Sequence, residues 1–129
     1  MRVLTVGSSV IDIFVTPEEE SKFEFRDDLV SFHLGDKITI GIQRMSLGGN
    51  GANVSVGLKR LGLDSTFYTY SGNDVLSRQI EESIEQEGGE LIREEYEGHS
   101  DVALIFNFDT DRTIFSHHER IDHSFTYSN

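Results

Sequence analysis

The 129-residue chain has no cysteine and one proline, and no part of it approaches the roughly 18 consecutive apolar residues that a membrane span requires. Without cysteine there is no disulfide framework, no Cys-ligated zinc and no thiolate nucleophile, and the composition suits a reducing compartment. The N-terminus, Met1-Arg2-Val3-Leu4-Thr5-Val6-Gly7, meets Ser8, Ser9 and Asp12 before a signal-peptide core could form. These absences predict a soluble, unexported, cytoplasmic protein with no membrane partner. Positive charge is also scarce, with 11 basic against 23 acidic side chains and a net charge of −12. Nucleic-acid affinity comes largely from Lys and Arg neutralising phosphates, so no nucleic-acid partner is expected. The length allows one compact domain and little more.

Apolar runs at Arg2 to Val6 and Val10 to Val15, closed by Gly7-Ser8-Ser9 and Thr16-Pro17, predict two strands. Glu18 to Asp28 reads as a loop or an edge strand, and Leu29 to His33 as a further short strand. From Lys37 to Leu47, Ile38, Ile40 and Ile42 fall on one face of a half-buried strand. After Gly48-Gly49-Asn50-Gly51 the period becomes helical at Ala52, Val56, Leu58 and Leu61, and Gly62 stands where a C-terminal cap belongs. Ser65 to Tyr70 is β-rich. Asn73 or Asp74 can then cap a helix with Leu76, Ile80 and Ile84 on one face, ended by Gly88-Gly89. Between Glu81 and Glu97 eight Glu stand against Arg93 alone, which reads as a solvated helix face. Val102 to Phe108 and Thr113 to Ser116 read as a hairpin across Asp109-Thr110-Asp111-Arg112.

Alternating β and α segments predict a parallel, helix-covered sheet, and antiparallel strands around 10–45 and 102–118 predict a small accessory sheet, a lid on an α/β domain. The parallel sheet reads as unfinished where the chain stops at Asn129.

Gly48-Gly49-Asn50-Gly51-Ala52-Asn53 forms a polar cradle between strand and helix, where glycines permit close ligand approach and the first helical N–H groups await a partner. A tight strand-to-helix turn with Asn caps explains the same residues without a ligand. No Gly-Lys-Ser/Thr ending makes it a P-loop, and the spacing is not G-x-G-x-x-G. Asp12 interrupts the apolar run Val10 to Val15, so its carboxylate is paired, used, or turned to solvent from an edge strand. Sugar hydroxyls would be suitable donors to it. His117, His118 and His123, with Glu119 and Asp122, lack H-E-x-x-H spacing, and no metal site is expected.

Gly48, Gly49, Gly51, Asn53, Ser55, Gly62 and Gly72, in this spacing, resemble the first signature of the PfkB/ribokinase family of carbohydrate and nucleoside kinases. Val3 to Ser8 with Asp12 downstream, Gly72-Asn73-Asp74 as a G-x-D, and Val102 to Ser116 as a lid hairpin extend that resemblance over essentially the whole chain. It implies a ribokinase-like α/β fold: a partial parallel sheet with flanking helices (1–9 and 48–99) and a small antiparallel β lid (within about 10–47 and 100–118). It also implies that Asp12 accepts hydrogen bonds from substrate hydroxyls while Gly48, Gly49, Asn50 and Asn53 line the floor of the sugar site. Val10 departs from the Asn that ribokinases proper use for ribose, and Val75-Leu76-Ser77 lacks the glycine that usually follows the G-x-D.

The family's G-A-G-D motif, with its catalytic Asp and adjoining nucleotide site, has no counterpart here. The expectation is therefore the substrate-binding N-terminal portion of an ATP-dependent sugar kinase. Mg-ATP would serve the complete enzyme, no cofactor would bind this chain alone, and the chain alone would be inactive. The partner is a small sugar or nucleoside, with a homodimer through the β lid as a further possibility. The alternative is a non-catalytic half-protein that binds a sugar or nucleoside or dimerises through its lid.

Overall fold

The computed structural model describes residues 1–109 and 111–119. Strands β1 (Arg2–Val6) and β2 (Val10–Pro17) open the chain, and a 3-10 turn at Glu20–Lys22 leads to the short hairpin of β3 (Glu24–Arg26) and β4 (Leu29–Ser31). Next come β5 (Ile40–Gly48), α1 (Asn50–Arg60), β6 (Asp64–Gly72), α2 (Val75–Gln86), β7 (Glu90–Tyr96), β8 (Val102–Asn107) and β9 (Arg112–His117).

Two sheets share these strands. The first is parallel, in the order β1-β6-β7, and the second runs β5-β2-β8-β9. Within the second, β2 with β5 and β8 with β9 are antiparallel, while β2 with β8 is parallel. The parallel pairing follows from topology. β2 and β8 each enter directly from a strand of the first sheet, β1 and β7, and those two point the same way.

Phe67, fully buried on β6, meets Ala52 of α1 and Ile84 of α2, with Leu47, Val56 and Leu91 around them. Both helices therefore cover the same face of the parallel sheet, as the spacing of Ile80 and Ile84 on α2 requires. A second cluster of Val10, Ala103 and Ile105, flanked by Phe14, joins β2 to β8. The helix ends follow the sequence. Gly62 at φ +81° closes α1, with the Gly62 N–H donating to Lys59 O and the Leu63 N–H to Leu58 O. Asp74, rather than Asn73, caps α2, its side chain accepting from Leu76 and Ser77 N–H.

Two expectations need correction. The acidic stretch Glu81 to Glu97 is not one helix face: α2 ends at Gln86, Gly88 takes φ +69°, and Glu90–Tyr96 continues as β7. Alternation explains it, because Leu91 and Arg93 turn toward the helices while Glu90 and Glu94 point to the other face, and Glu95 pairs with Arg93. Ile38 also falls outside a strand, since β5 begins at Ile40. The preceding segment is engaged differently: Thr39 N–H donates to Glu19 Oε2 and Thr39 O accepts from Glu18 N–H. Further along, β5 carries an extra residue at Gln43, where its register with β2 shifts between Phe14 and Val15.

Candidate functional site

Among the described residues the chain crosses three times between the two sheets: at Gly7–Ser9 from β1 to β2, at Gly48–Gly49 from β5 into α1, and at Glu97–Asp101 from β7 to β8. The first two crossings are packed together by glycine. Gly49 takes φ +94°, and a Cβ there would stand 2.5 Å from Ser8 O. A Cβ on Gly51 would lie 2.7 Å from the Gly7 backbone and 2.8 Å from the Phe67 ring. The glycines thus serve a close approach of the chain to itself, whatever else they do.

Ser8 then occupies much of the α1 N-terminus. Its Oγ accepts from Asn50 N–H at 3.2 Å and its carbonyl from Ala52 N–H at 3.3 Å. Asn53 N–H donates to Gly49 O at 2.9 Å, so of the first four helical N–H groups only that of Gly51 has no partner among the described residues. Ser8 and Ser9, with Thr69, Tyr96, Asp101 and Glu119, line an open cleft of about 370 Å³. It lies toward the carboxyl ends of the parallel strands, where open α/β sheets characteristically take ligands.

Asp12 belongs to the second sheet, in register with Ser46 on β5 and Ala103 on β8. Its carboxylate covers Gly48, which has no room for a Cβ beneath it. The group is half-buried, and no hydrogen bond to it is found among the described residues, only the charge of Arg44. Burial pushes the Asp12 carboxyl up from its ordinary value, and the nearby Arg44 charge opposes that. The Arg44 guanidinium sits 4.0 Å from the centre of the Phe14 ring, so Phe14 anchors the cation beside Asp12. Asp12 is therefore a carboxylate with free acceptor capacity, suited to donors such as hydroxyls.

The structure brings Asp12 and Gly48 into contact and ties Gly49 and Asn50 together through Ser8. No hydrogen bond joins Asn53 to Asp12 among the described residues. Asn53 lines a recess of about 450 Å³ between α1, α2 and β5, with Leu47, Val56 and Gly57. Ser46, the partner of Asp12 across the ladder, lines the same recess.

A family model described as pfkB family carbohydrate kinase matches residues 2–124. The chain belongs to the pfkB family. Solved structures of similar fold include a ribokinase from Giardia lamblia at 16% identity and TM-score 0.70, covering 90% of this chain and 35% of that one. A carbohydrate kinase from Agrobacterium tumefaciens has 20% identity and TM-score 0.65, covering 81% of this chain and 31% of that one. A fructokinase with bound ATP from Xylella fastidiosa has 19% identity and TM-score 0.64, covering 91% and 33% respectively. No curated protein matches the chain. The chain spans about a third of the length of these solved relatives.

The third crossing of this pfkB chain is built from side chains. Asp74 Oδ1 accepts from Leu76 and Ser77 N–H and from Ser100 Oγ–H, while Oδ2 accepts from Ser100 N–H. Burial alone would raise the Asp74 carboxyl, but the donors Ser100, Ser77 and Leu76 together hold it below its usual value. Gly72 packs so closely under Gly98 to Ser100 that a Cβ would collide with Gly98 O. Tyr96 donates to His99 O at 2.9 Å. Its phenol is pushed up to about 12 by burial and by the carboxylates of Asp101, Glu119 and Asp74.

Nearby, His118 Nδ1 is 2.8 Å from Asp101 Oδ2. Among the described residues no group of three or more His, Asp and Glu is placed to hold a metal ion; His123 and Asp122 lie outside them, as does Thr110 of the hairpin turn. Sequence reasoning overlooked Ser8 and Ser100. The only signal was position: Gly7-Ser8-Ser9 follows an apolar strand directly, and Ser100 precedes another.

Proposed function

We propose that the chain is the substrate-binding, lid-bearing portion of an ATP-dependent kinase that transfers the γ-phosphoryl group to a hydroxyl of a sugar or nucleoside. Residues 1–9 and 48–99 form its α/β part and the strands within 10–47 and 100–118 its lid. Asp12 carries the reading: a half-buried carboxylate with no internal donor, next to a glycine turn, in a member of a carbohydrate kinase family. Asp12 accepts hydrogen bonds from substrate hydroxyls, and Gly48, Gly49 and Asn50 bound the same space. Asn53, on the first turn of α1, completes the set.

Phosphoryl transfer depends on positioning, on neutralising the phosphate charge and on a group that orients the nucleophile. This chain contributes positioning. The α1 N-terminus, where Ser8 takes the Asn50 and Ala52 N–H groups, has little left for a polyphosphate, and the net charge of −12 opposes one. Both support assigning Mg-ATP to the complete enzyme, no cofactor to this chain, and no ATP turnover to this chain alone. In the complete enzyme bound Mg-ATP would supply the transferred phosphoryl group.

Titration of the chain with a panel of sugars and nucleosides, followed by calorimetry or NMR shifts, tests the reading. Binding that Asp12→Ala weakens about tenfold or more supports it. Equal binding by the variant, or ATP turnover above a blank by the 129-residue chain, overturns the corresponding part.

The lid also favours a homodimer, since Ile42, Ile114 and Phe115 on its strands are 66%, 51% and 57% exposed. Light scattering at tens of micromolar distinguishes a dimer from a monomer. The lack of cysteine supports a cytoplasmic setting, and among the described residues no helix is long and apolar enough to cross a membrane.

A further inference from the structure

The crossing from β7 to β8 ends on one carboxylate whose two oxygens do different work. Capping α2 occupies only Oδ1, 3.1 Å from both Leu76 N and Ser77 N, and a Ser or Asn would serve there as well. Oδ2 is instead turned to the crossing and accepts from Ser100 N–H at 2.9 Å, while Ser100 Oγ–H returns to Oδ1 at 2.8 Å. Ser100 is completely buried, and its Oγ also accepts from Gly72 N–H at 3.1 Å. One residue later the Asp101 carbonyl accepts from Ile11 N–H at 3.0 Å, and Val102 starts β8 in register with Ile11. The next rung of that ladder pairs Ala103 with Asp12. Where Ser100 is held therefore decides where β8 begins along β2, and β2 carries Asp12.

We propose that Asp74 is a positioning residue: through Ser100 it locks the lid sheet to the N-terminus of α2 and thereby sets where Asp12 stands over the glycine turn. A helix cap alone would need neither a second oxygen nor a buried serine opposite it. Only an ionised carboxylate accepts on both sides at once, from the helix and from the Ser100 backbone. The groups around the lock are Tyr96, His99, Asp101, His117, His118 and Glu119. Of these His99 and Tyr96 face Asp74 itself: the His99 Nδ1 is 3.9 Å from Oδ2 and largely exposed, and the Asp74 charge is one of those that raise the Tyr96 phenol. The importance of the lock for ligand binding rests on the sugar-site reading above; the lock itself does not.

The test is amide hydrogen exchange and residual dipolar couplings by NMR on the full 129-residue chain, comparing wild type with Asp74→Asn and Ser100→Ala. In Asp74→Asn, Oδ1 still caps the helix, so Leu76 and Ser77 amides keep their protection, while the new amide group cannot accept from Ser100. The Ser100 and Ile11 amides should exchange about tenfold faster, with Asn50 and Ala52 unchanged. The couplings should report a changed orientation of β5-β2-β8-β9 relative to β1-β6-β7. Ser100→Ala keeps the whole α2 cap and the residue-100 N–H bond to Oδ2 but loses the Oγ bonds to Asp74 and Gly72. It should speed exchange at Gly72 and, less strongly, at Ile11, so it decides the matter if Asp74→Asn does not fold.

Unchanged exchange at Ile11 in the folded variants overturns the proposal. So does a uniform acceleration of all amides with the sheet orientation preserved, because that is a purely structural role. For any sugar that binds wild type, Asp74→Asn should weaken binding about tenfold although Asp74 lies outside the sugar site. If no sugar binds wild type, the sugar reading fails while the exchange and coupling results still judge the lock.

Discussion

Two junctions hold the same pair of sheets together, and only one of them uses a charge. At the first, Gly7, Gly49 and Gly51 let backbone meet backbone, and Ser8 closes the gap with neutral hydrogen bonds. At the second, Asp74 and Ser100 form the contact, with further carboxylates and histidines close by. The first is steric, so it tolerates no added atom and is indifferent to pH. The second is steric as well at Gly72, where a Cβ would collide with Gly98 O, but it adds an electrostatic part that depends on one carboxylate remaining ionised. A lid joined in this way has one attachment beside the candidate sugar site that is indifferent to pH and one away from it that responds to the ionisation of Asp74.

The largest effect expected is at the first junction. Gly51→Ala places a Cβ 2.7 Å from Gly7 and 2.8 Å from Phe67, and should cost about 3 kcal/mol or more, read as a fall in the urea midpoint. Gly57 is the contrast on the same helix, because a Cβ there meets nothing within 4 Å. Gly57→Ala should raise stability by about 0.5–1 kcal/mol; a loss would show that the recess beside Asn53 is tighter than it looks.

Next comes Asp74→Ala, which removes the α2 cap and leaves the Ser100 N–H without its acceptor. It should cost about 2 kcal/mol by the same measurement, less than Gly51→Ala. The two variants should then separate by pH. The Asp74 carboxyl lies below its ordinary value in the folded chain, so the unfolded chain binds the proton first. Its stabilisation is complete above about pH 4 to 5 and is lost as pH falls through the folded value. Asp74→Ala should lack that share of the acid loss, and Gly51→Ala should retain it.

Smallest is Asp12→Asn. Burial holds its carboxyl above the usual value, so the charge costs stability at neutral pH and the cost vanishes below the unfolded value. The variant should equal or slightly exceed wild type, within about 0.5 kcal/mol, in thermal melts at pH 7. A clear loss would mean that Asp12 is structural, bound to the Arg44 and Phe14 pair, and not reserved for a ligand.

Local chemistry made much of this legible in advance. Gly62 and Gly88 mark helix ends because only glycine takes a positive φ without cost, and Asp12 stood out as a charge in an apolar strand. The run of glutamates misled because composition hides period: Leu91 and Arg93 alternate with Glu90 and Glu94, a strand pattern that a count of charges erases. Ser8 and Ser100 were invisible as site-forming residues, since a serine before or after a strand is unremarkable until its partner 42 or 26 residues away is known.

By itself the sequence determined most element types outside Glu90–Tyr96, the glycine helix ends, the family signature from Gly48 to Gly72 and the chemical character of Asp12, all of which depend on neighbours within a few turns of chain. Only the tertiary structure decided that β2 and β8 run parallel, that Ser8 occupies the α1 N-terminus, that Asn53 lines a recess shared with α2 and β5, and that Asp74 spans two elements. Those facts arise where strands of different sheets cross, and contacts between residues far apart in sequence are fixed by the closure of the whole chain rather than by any local preference.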